Sequence, residues 1–314
     1  MTVRNVVRSG LEPILGHGRV DRLVDAEKRV RLSIARRLDP APVTPPGPEL
    51  APSGYPVYPV PEGRFPASSL TRHELLKGLH EALQPRTYLE IGIDDGRSLT
   101  LSHARTIGVD PSFMITNPVR GDVLLARATS DDFFAGKDAA DFLAGTPIDL
   151  AFIDGMHLAE FAFRDFVNVE KLAGQASVIV LDDMLPRIVD EAARDRYTDS
   201  WAGDVFKVID ILRTRRPDLV VVPVNTFPTG VVVVFGADPA SRVLADAYEE
   251  LLPELTAADP QKVPESILTR TDAVDGRDLI AWSGWDEVRA LREKRKAPAQ
   301  RNRLVERFTE AFVR

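Results

Sequence analysis

Five short runs of apolar and β-branched residues, each followed by a segment with helical spacing, constrain this chain more than any other feature. They are Thr87–Gly92, Thr106–Asp110, Leu124–Ser130, Ile148–Asp154 and Ser177–Asp183. The last is apolar at four consecutive positions, Val178 to Leu181, and so has no polar face to give to solvent. Strand–helix alternation with strands of this kind predicts an α/β fold on a parallel sheet buried on both faces. GDVFKVIDILRTRRPD then reads as a helix. LVVVPVNTF and TGVVVVFG predict a closing antiparallel pair joined by a tight proline-containing turn. Ligands of open α/β sheets bind outside the carboxyl ends of the strands, so the residues closing each run are the candidate site.

The flanks have a different character. Residues 1–38 carry helical spacing (Val3, Val6, Val7, Leu11) and predict a helical N-terminal extension. Residues 39–68 hold recurrent prolines with Tyr55 and Tyr58 between them, which excludes helix and central strand and leaves a linker or an extended arm over a surface. The core is expected to begin at Ser69, where SLTRHELLKGLHEAL offers a Ser or Thr cap before a helix, and to run to residue 237. Residues 238–314 predict a helical C-terminal extension over Ser241–Leu255, Asp278–Lys296 and Gln300–Val313. Its cluster Arg289, Arg292, Lys294, Arg295, Lys296, Arg301 and Arg303 is a solvated face, a dimer contact or a site for an anionic partner.

Bulk composition excludes several classes. A formal net charge of −7 argues against a nucleic-acid partner, which needs basic surface to displace counterions. With no cysteine there is neither a disulfide, a thiolate metal site nor a cysteine nucleophile. The N-terminus is interrupted by Arg4, Arg8, Glu12 and His17, and the longest apolar runs, such as Val231 to Phe235, are too short to span a bilayer. A cytoplasmic protein without a membrane span is expected, with a homo-oligomer left open.

The first run ends in Glu90-Ile-Gly92-Ile-Asp94-Asp95-Gly96, where glycines permit a tight turn and close ligand approach. Asp110 closes the second run twenty residues after Glu90, about the interval at which a carboxylate reaches a ribose diol. The alternative for Asp110 is an N-cap. Thr129, Ser130 and Asp131 stand over the same edge, able to receive an adenine amino group or to cap a helix. A nicotinamide-dependent oxidoreductase would want G-x-G-x-x-G, whereas these glycines are spaced G-x-x-x-G. Asp94 and Asp95 would repel a pyrophosphate but tolerate a sulfonium cation, which favours a methyl donor.

Asp154 closes the fourth run with His157 three residues on, and Asp182 and Asp183 close the fifth. Neighbouring strands would bring these carboxylates together with no basic residue nearby in sequence, and a hard divalent cation is a common remedy. Oxygen ligands favour magnesium, manganese or calcium. His157 is then the candidate general base. In the competing reading Asp154 and Asp183 cap helices and pair with Arg164 or Arg187. Lys207 and Arg187 flank these strands, either lining an acceptor site or forming ion pairs.

Residues from about Ser69 to Gly236 resemble the class I S-adenosylmethionine-dependent methyltransferases of the methyltransferase 24 family. The likeness lies in RTYLEIGIDDGRS, TIGVDP, TSDDFF, PIDLAFIDGMHLAEFAFRDFVNVE, VIVLDDMLPR, WAGDVFKV and PTGVVVV, with FIDGMH and VLDDM the most specific. The resemblance implies a Rossmann-like sheet of five parallel strands plus a terminal antiparallel pair. It implies S-adenosylmethionine as cofactor, held by Glu90, Gly92, Gly96, Asp110, Ser130 and Asp131. The trio Asp154, Asp182 and Asp183 also resembles the metal ligands of magnesium-dependent catechol and macrolide-sugar O-methyltransferases. In the macrolide-sugar enzymes a histidine placed like His157 is the base. Asp183 departs from the catechol pattern, which has asparagine there. O-methylation of a carbohydrate or natural-product hydroxyl, on a small-molecule or glycan acceptor, is thus implied; an oxidoreductase or a catalytically silent binding module remains the alternative.

Overall fold

The computed structural model describes residues 58–313 other than 62, 69, 295 and 296. The helical reading of 1–38 and most of the proline-rich stretch lie outside the described residues. The core opens on helix α1 (Arg72–Leu83). The Thr71 hydroxyl accepts from the Glu74 amide while the Glu74 carboxylate accepts from the Thr71 amide, a reciprocal cap that satisfies two orphan donors of the first turn. α1 turns Leu75, Leu76, Leu79 and Leu83 inward.

The strands follow as β1 (Thr87–Ile91), β2 (Arg105–Val109), β3 (Val123–Ala126), β4 (Ile148–Ile153), β5 (Ala173–Leu185), β6 (Val220–Asn225), β7 (Gly230–Phe235) and β8 (Val274–Asp275). Their order in the sheet is β3-β2-β1-β4-β5-β7-β6-β8. β1 to β5 pair in parallel, and β7 runs antiparallel between β5 and β6. This is the predicted five-strand series with its closing antiparallel pair, the later strand inserted inside the earlier one. The two-residue β8 was not legible in the sequence. β3 ends three residues before Thr129, because the Thr129 hydroxyl instead caps helix α2 (Ser130–Ala135) by accepting from the Asp132 amide. No helix among the described residues is long and apolar enough to cross a membrane.

Two apolar layers sandwich the sheet, and strand alternation decides which residue enters which. Ile179 and Leu181 face the layer with Phe163 and Phe166 from helix α4 (Ala159–Glu170), which follows the short helix α3 (Asp138–Leu143). Val178 and Val180 face the layer with Tyr88, α1 and the C-terminal helices. Between these helices run α5 (Lys207–Arg215), α6 (Val243–Asp246), α7 (Tyr248–Leu255), α8 (Glu265–Thr269) and α9 (Gly276–Ile280). The chain ends in α10 (Trp285–Arg292) and α11 (Pro298–Phe312). Phe308 of α11 is fully buried, 5.4 Å from Phe235 of β7, so the C-terminal segment closes the second face of the sheet. Part of its basic cluster is used inside the chain. Arg289 bonds the Ala82 carbonyl, and Arg292 bonds those of Leu83 and Gln84, filling acceptors left open at the end of α1.

Candidate active site

The strand order reverses between β1 and β4, and there a cleft of about 510 Å³ opens at the carboxyl ends. Its walls include Gly92, Asp94, Asp95, Asp110, Ser130, Asp131, Asp154 and His157. Asp110 Oδ2 accepts from the amides of Ile93 and Asp94 at 2.7 and 3.0 Å, and Oδ1 from Ser112 at 2.6 Å. This carboxylate therefore fixes the loop after β1, and a carboxylate has about four acceptor positions, so one remains for a diol. Gly96, at φ 78°, turns that loop between Asp95 and Arg97, both on the cleft wall.

Glu90 does not reach the cleft. It is fully buried beneath it, accepting from the Tyr88 hydroxyl at 2.6 Å and the Ser98 hydroxyl at 2.7 Å. Burial pushes its carboxyl up to about 8 despite those two donors. An acid raised in the folded state contributes stability that is full below its unfolded value of about 4.3 and is lost as pH rises through the folded value. Unfolding free energies of wild type and Glu90→Gln, compared from about pH 4.5 to 8, should therefore shift in the variant's favour by on the order of 3 kcal/mol. A difference independent of pH would show that Glu90 is ionised throughout.

Asp131 is held by Arg164, with Nε at 3.0 Å and Nη2 at 2.5 Å. Arg187 pairs with Glu191 at 2.5 Å, and Lys207 with Asp204 at 2.7 Å. None of these three cations reaches the strand-end aspartates, and Lys207 and Arg187 form ion pairs in place of lining an acceptor site.

The cation at the aspartates is Arg72, the first residue of α1. Its guanidinium bonds Asp182 Oδ2 and lies 3.5 Å from Asp154 Oδ2, and Asp182 holds it well above the ordinary arginine range. Backbone shape explains the separation of the two consecutive aspartates. Asp183 adopts φ 59°, at a break in the β5–β7 register between Leu181 and Leu185. Asp182 turns to Arg72, whereas Asp183 accepts from the Thr229 hydroxyl at 2.5 Å and lies 3.3 Å from His157 Nε2. His157 Nε2 is also 3.3 Å from Asp154 Oδ1.

Nδ1 of His157 is 2.6 Å from the Trp201 carbonyl, which can only accept, so Nδ1 carries a proton and Nε2 is the exchangeable position. Against the cost of burying a charge, Asp183 and Asp154 push the imidazole up to about 10. Burial, then the neighbouring Asp183, raises Asp182 to about 6. Gly203, at φ 64°, brings its loop onto the histidine: a Cβ there would sit 1.6 Å from the His157 carbonyl oxygen.

Of the three expected metal ligands, Asp154 and Asp183 converge and Asp182 does not. Among the described residues, ligand atoms within 4.8 Å of one another come from Asp154, His157 and Asp183, with Asp182 outside the group. Among the described residues the buried Asp182 Oδ1 has no hydrogen-bond partner, and Oδ2 belongs to Arg72. A dication on Asp154 would stand within roughly 6 Å of the guanidinium, a repulsion of about 5 kcal/mol at an effective dielectric constant of ~20. Taking His157 as a ligand would also remove the base. The residues present do not fit the expected cage.

A second cleft, of about 460 Å³, adjoins the first and is walled by Asp183, Arg196, Ser200, Trp201, Phe227 and Pro228. Arg72, His73, Arg97 and His157 line both clefts. Arg72, Trp201 and Thr229 are the residues that sequence reasoning missed. The local hint was an arginine opening a helix, where the helix dipole disfavours a cation.

Residues 89–184 match the family model described as "Methyltransferase domain". Among solved structures, the chain is similar to the O-methyltransferase TomG from Streptomyces achromogenes, at 17% identity and a TM-score of 0.40 over 53% of this chain and 79% of that chain. It is also similar to a putative O-methyltransferase from Klebsiella pneumoniae, at 14% identity and a TM-score of 0.40 over 55% of this chain and 83% of that one. An O-methyltransferase from Bacillus cereus gives 15% identity and a TM-score of 0.37 over 73% and 97%. At such scores these likenesses carry no argument of their own. No curated protein matches the chain. The matched segment, less than half of the chain, runs from β1 through β5, the strands that build the cleft, and this part of the chain thus matches a methyltransferase domain.

Proposed function

We propose that the chain is an O-methyltransferase acting on a hydroxyl of a carbohydrate or other small natural product, with His157 as general base. The observation that carries this reading is the meeting of two clefts at His157, one at the strand switch point and one beside it. Asp110 would hold the ribose of the donor, and Ser130 and Asp131 would face its adenine. Asp94 on the same wall suits a sulfonium, while Asp95 is paired with Arg97 at 2.6 Å. The second cleft offers Trp201 and Phe227 as apolar walls with polar groups between them, at a volume that suits a small molecule.

S-adenosylmethionine, when bound, supplies the methyl group: the acceptor oxygen takes it from the sulfonium, and the C–S bonding electrons stay on a neutral thioether. His157 Nε2 receives the hydroxyl proton, and the resulting imidazolium rests between Asp154 and Asp183. The Trp201 carbonyl and the Gly203 turn hold the ring so that Nε2 faces the junction. Most of the remaining acceleration comes from holding two reactants in one geometry. Magnesium, expected from the acidic trio, has no step in this reading.

Calorimetric titration with S-adenosylhomocysteine tests the donor assignment. One-to-one binding that Asp110→Ala weakens by about tenfold or more, the loss of one hydrogen bond to a charged group, is expected. A folded protein that binds none would remove the methyl-transfer reading.

A further inference from the structure

The methyl-transfer reading leaves Arg72 without a role, although it lines both clefts and meets two of the strand-end aspartates. It opens α1, where the helix dipole disfavours a cation, so local stability does not explain it. Its guanidinium joins Asp182 and approaches Asp154, aspartates from two adjacent strands, and lines both the donor and the acceptor cleft.

Resting on that reading, we propose that Arg72 is the resident cation of this site, standing where a divalent metal would otherwise neutralise Asp154 and Asp182 and facing the acceptor oxygen as it loses its proton. In the form competent to accept the proton, the carboxylates then meet one fixed cation of the chain itself, Arg72, joined by the His157 imidazolium only after the proton has moved. Arg72 forms no covalent bond during transfer. The hydroxyl proton goes to His157 Nε2, the new C–O bond forms as the C–S bond breaks, and the guanidinium opposes the negative charge that develops on oxygen in between. A fixed guanidinium costs no reorganisation when that charge appears, and its planar fork can serve a carboxylate and an oxyanion together.

The test is manganese binding to chelator-treated full-length protein, followed by calorimetry, in wild type, Arg72→Ala and Arg72→Lys. Wild type and Arg72→Lys are expected to bind no manganese at the site. Arg72→Ala, with its carboxylates uncovered, is expected to gain a saturable site at least about 100-fold tighter than any in wild type, as removal of a nearby like charge predicts. Manganese binding by wild type that Asp154→Asn removes overturns the proposal. So does an Arg72→Ala protein that keeps its circular dichroism spectrum and gains no site. S-adenosylhomocysteine titrated into the same samples separates the two ideas. Its failure to bind wild type removes the transferase reading, whereas the manganese result judges Arg72 alone.

Discussion

His157→Gln is expected to lower turnover by about 10²–10⁴-fold, the range for a lost general base, with S-adenosylhomocysteine affinity essentially unchanged. Glutamine has no lone pair of imidazole basicity at the Nε2 position. The pH profile gives a second readout with a definite sign. Asp183 and Asp154 hold the free enzyme's imidazolium up to about 10, so at neutral pH only a small fraction is competent to accept a proton. The value of kcat/KM, which reports the free enzyme, should rise with pH and level near 10. The kcat profile should level at lower pH, because a sulfonium in the cleft that His157 lines disfavours a second positive charge. A kcat/KM that is flat from about pH 7 to 10, or unimpaired turnover in His157→Gln, would assign the proton to another group.

The parts of this site legible in the sequence are those fixed by strand ends. Asp110 and Asp154 stand where parallel strands must deliver them, and the apolar runs alone located those edges. Glu90 was legible and misread: it is two residues from Tyr88, so strand alternation puts both side chains on the face that packs under α1. The consecutive pair Asp182 and Asp183 could not be resolved by pattern. A regular strand would send the two side chains to opposite faces, and only the positive φ at Asp183 decides where each goes. Arg72 is about a hundred residues from the carboxylate it joins, a tertiary contact with no local periodicity to announce it. The Trp201 carbonyl is a backbone group, so no residue type could have signalled its bond to His157. β8 was missed because two residues are too few to carry a period.

Gly92→Ala should abolish donor binding and cost on the order of 3 kcal/mol or more of stability. Gly92 adopts φ 85°, which costs an L-residue roughly 1–2 kcal/mol. Its position adds a larger penalty: a Cβ there would sit 1.7 Å from the Asp154 carbonyl oxygen. The strand ends around it are stitched on both sides, Gly92 amide to Val109 carbonyl at 2.9 Å and Asp154 amide to Ile91 carbonyl at 2.8 Å. An alanine must push β1 and β4 apart at the switch point, stretching those bonds and moving Asp154 and the loop that carries His157. Gly145→Ala separates strain from overlap, since Gly145 has φ 80° and a Cβ there meets nothing within 4 Å. That control should lose only the backbone term, about 1–2 kcal/mol, and keep full affinity for S-adenosylhomocysteine. If Gly92→Ala behaves like the control in thermal unfolding and in calorimetry, the strand ends can part freely. The close approach of β1 and β4 would then not be what holds Asp154 and His157 in place.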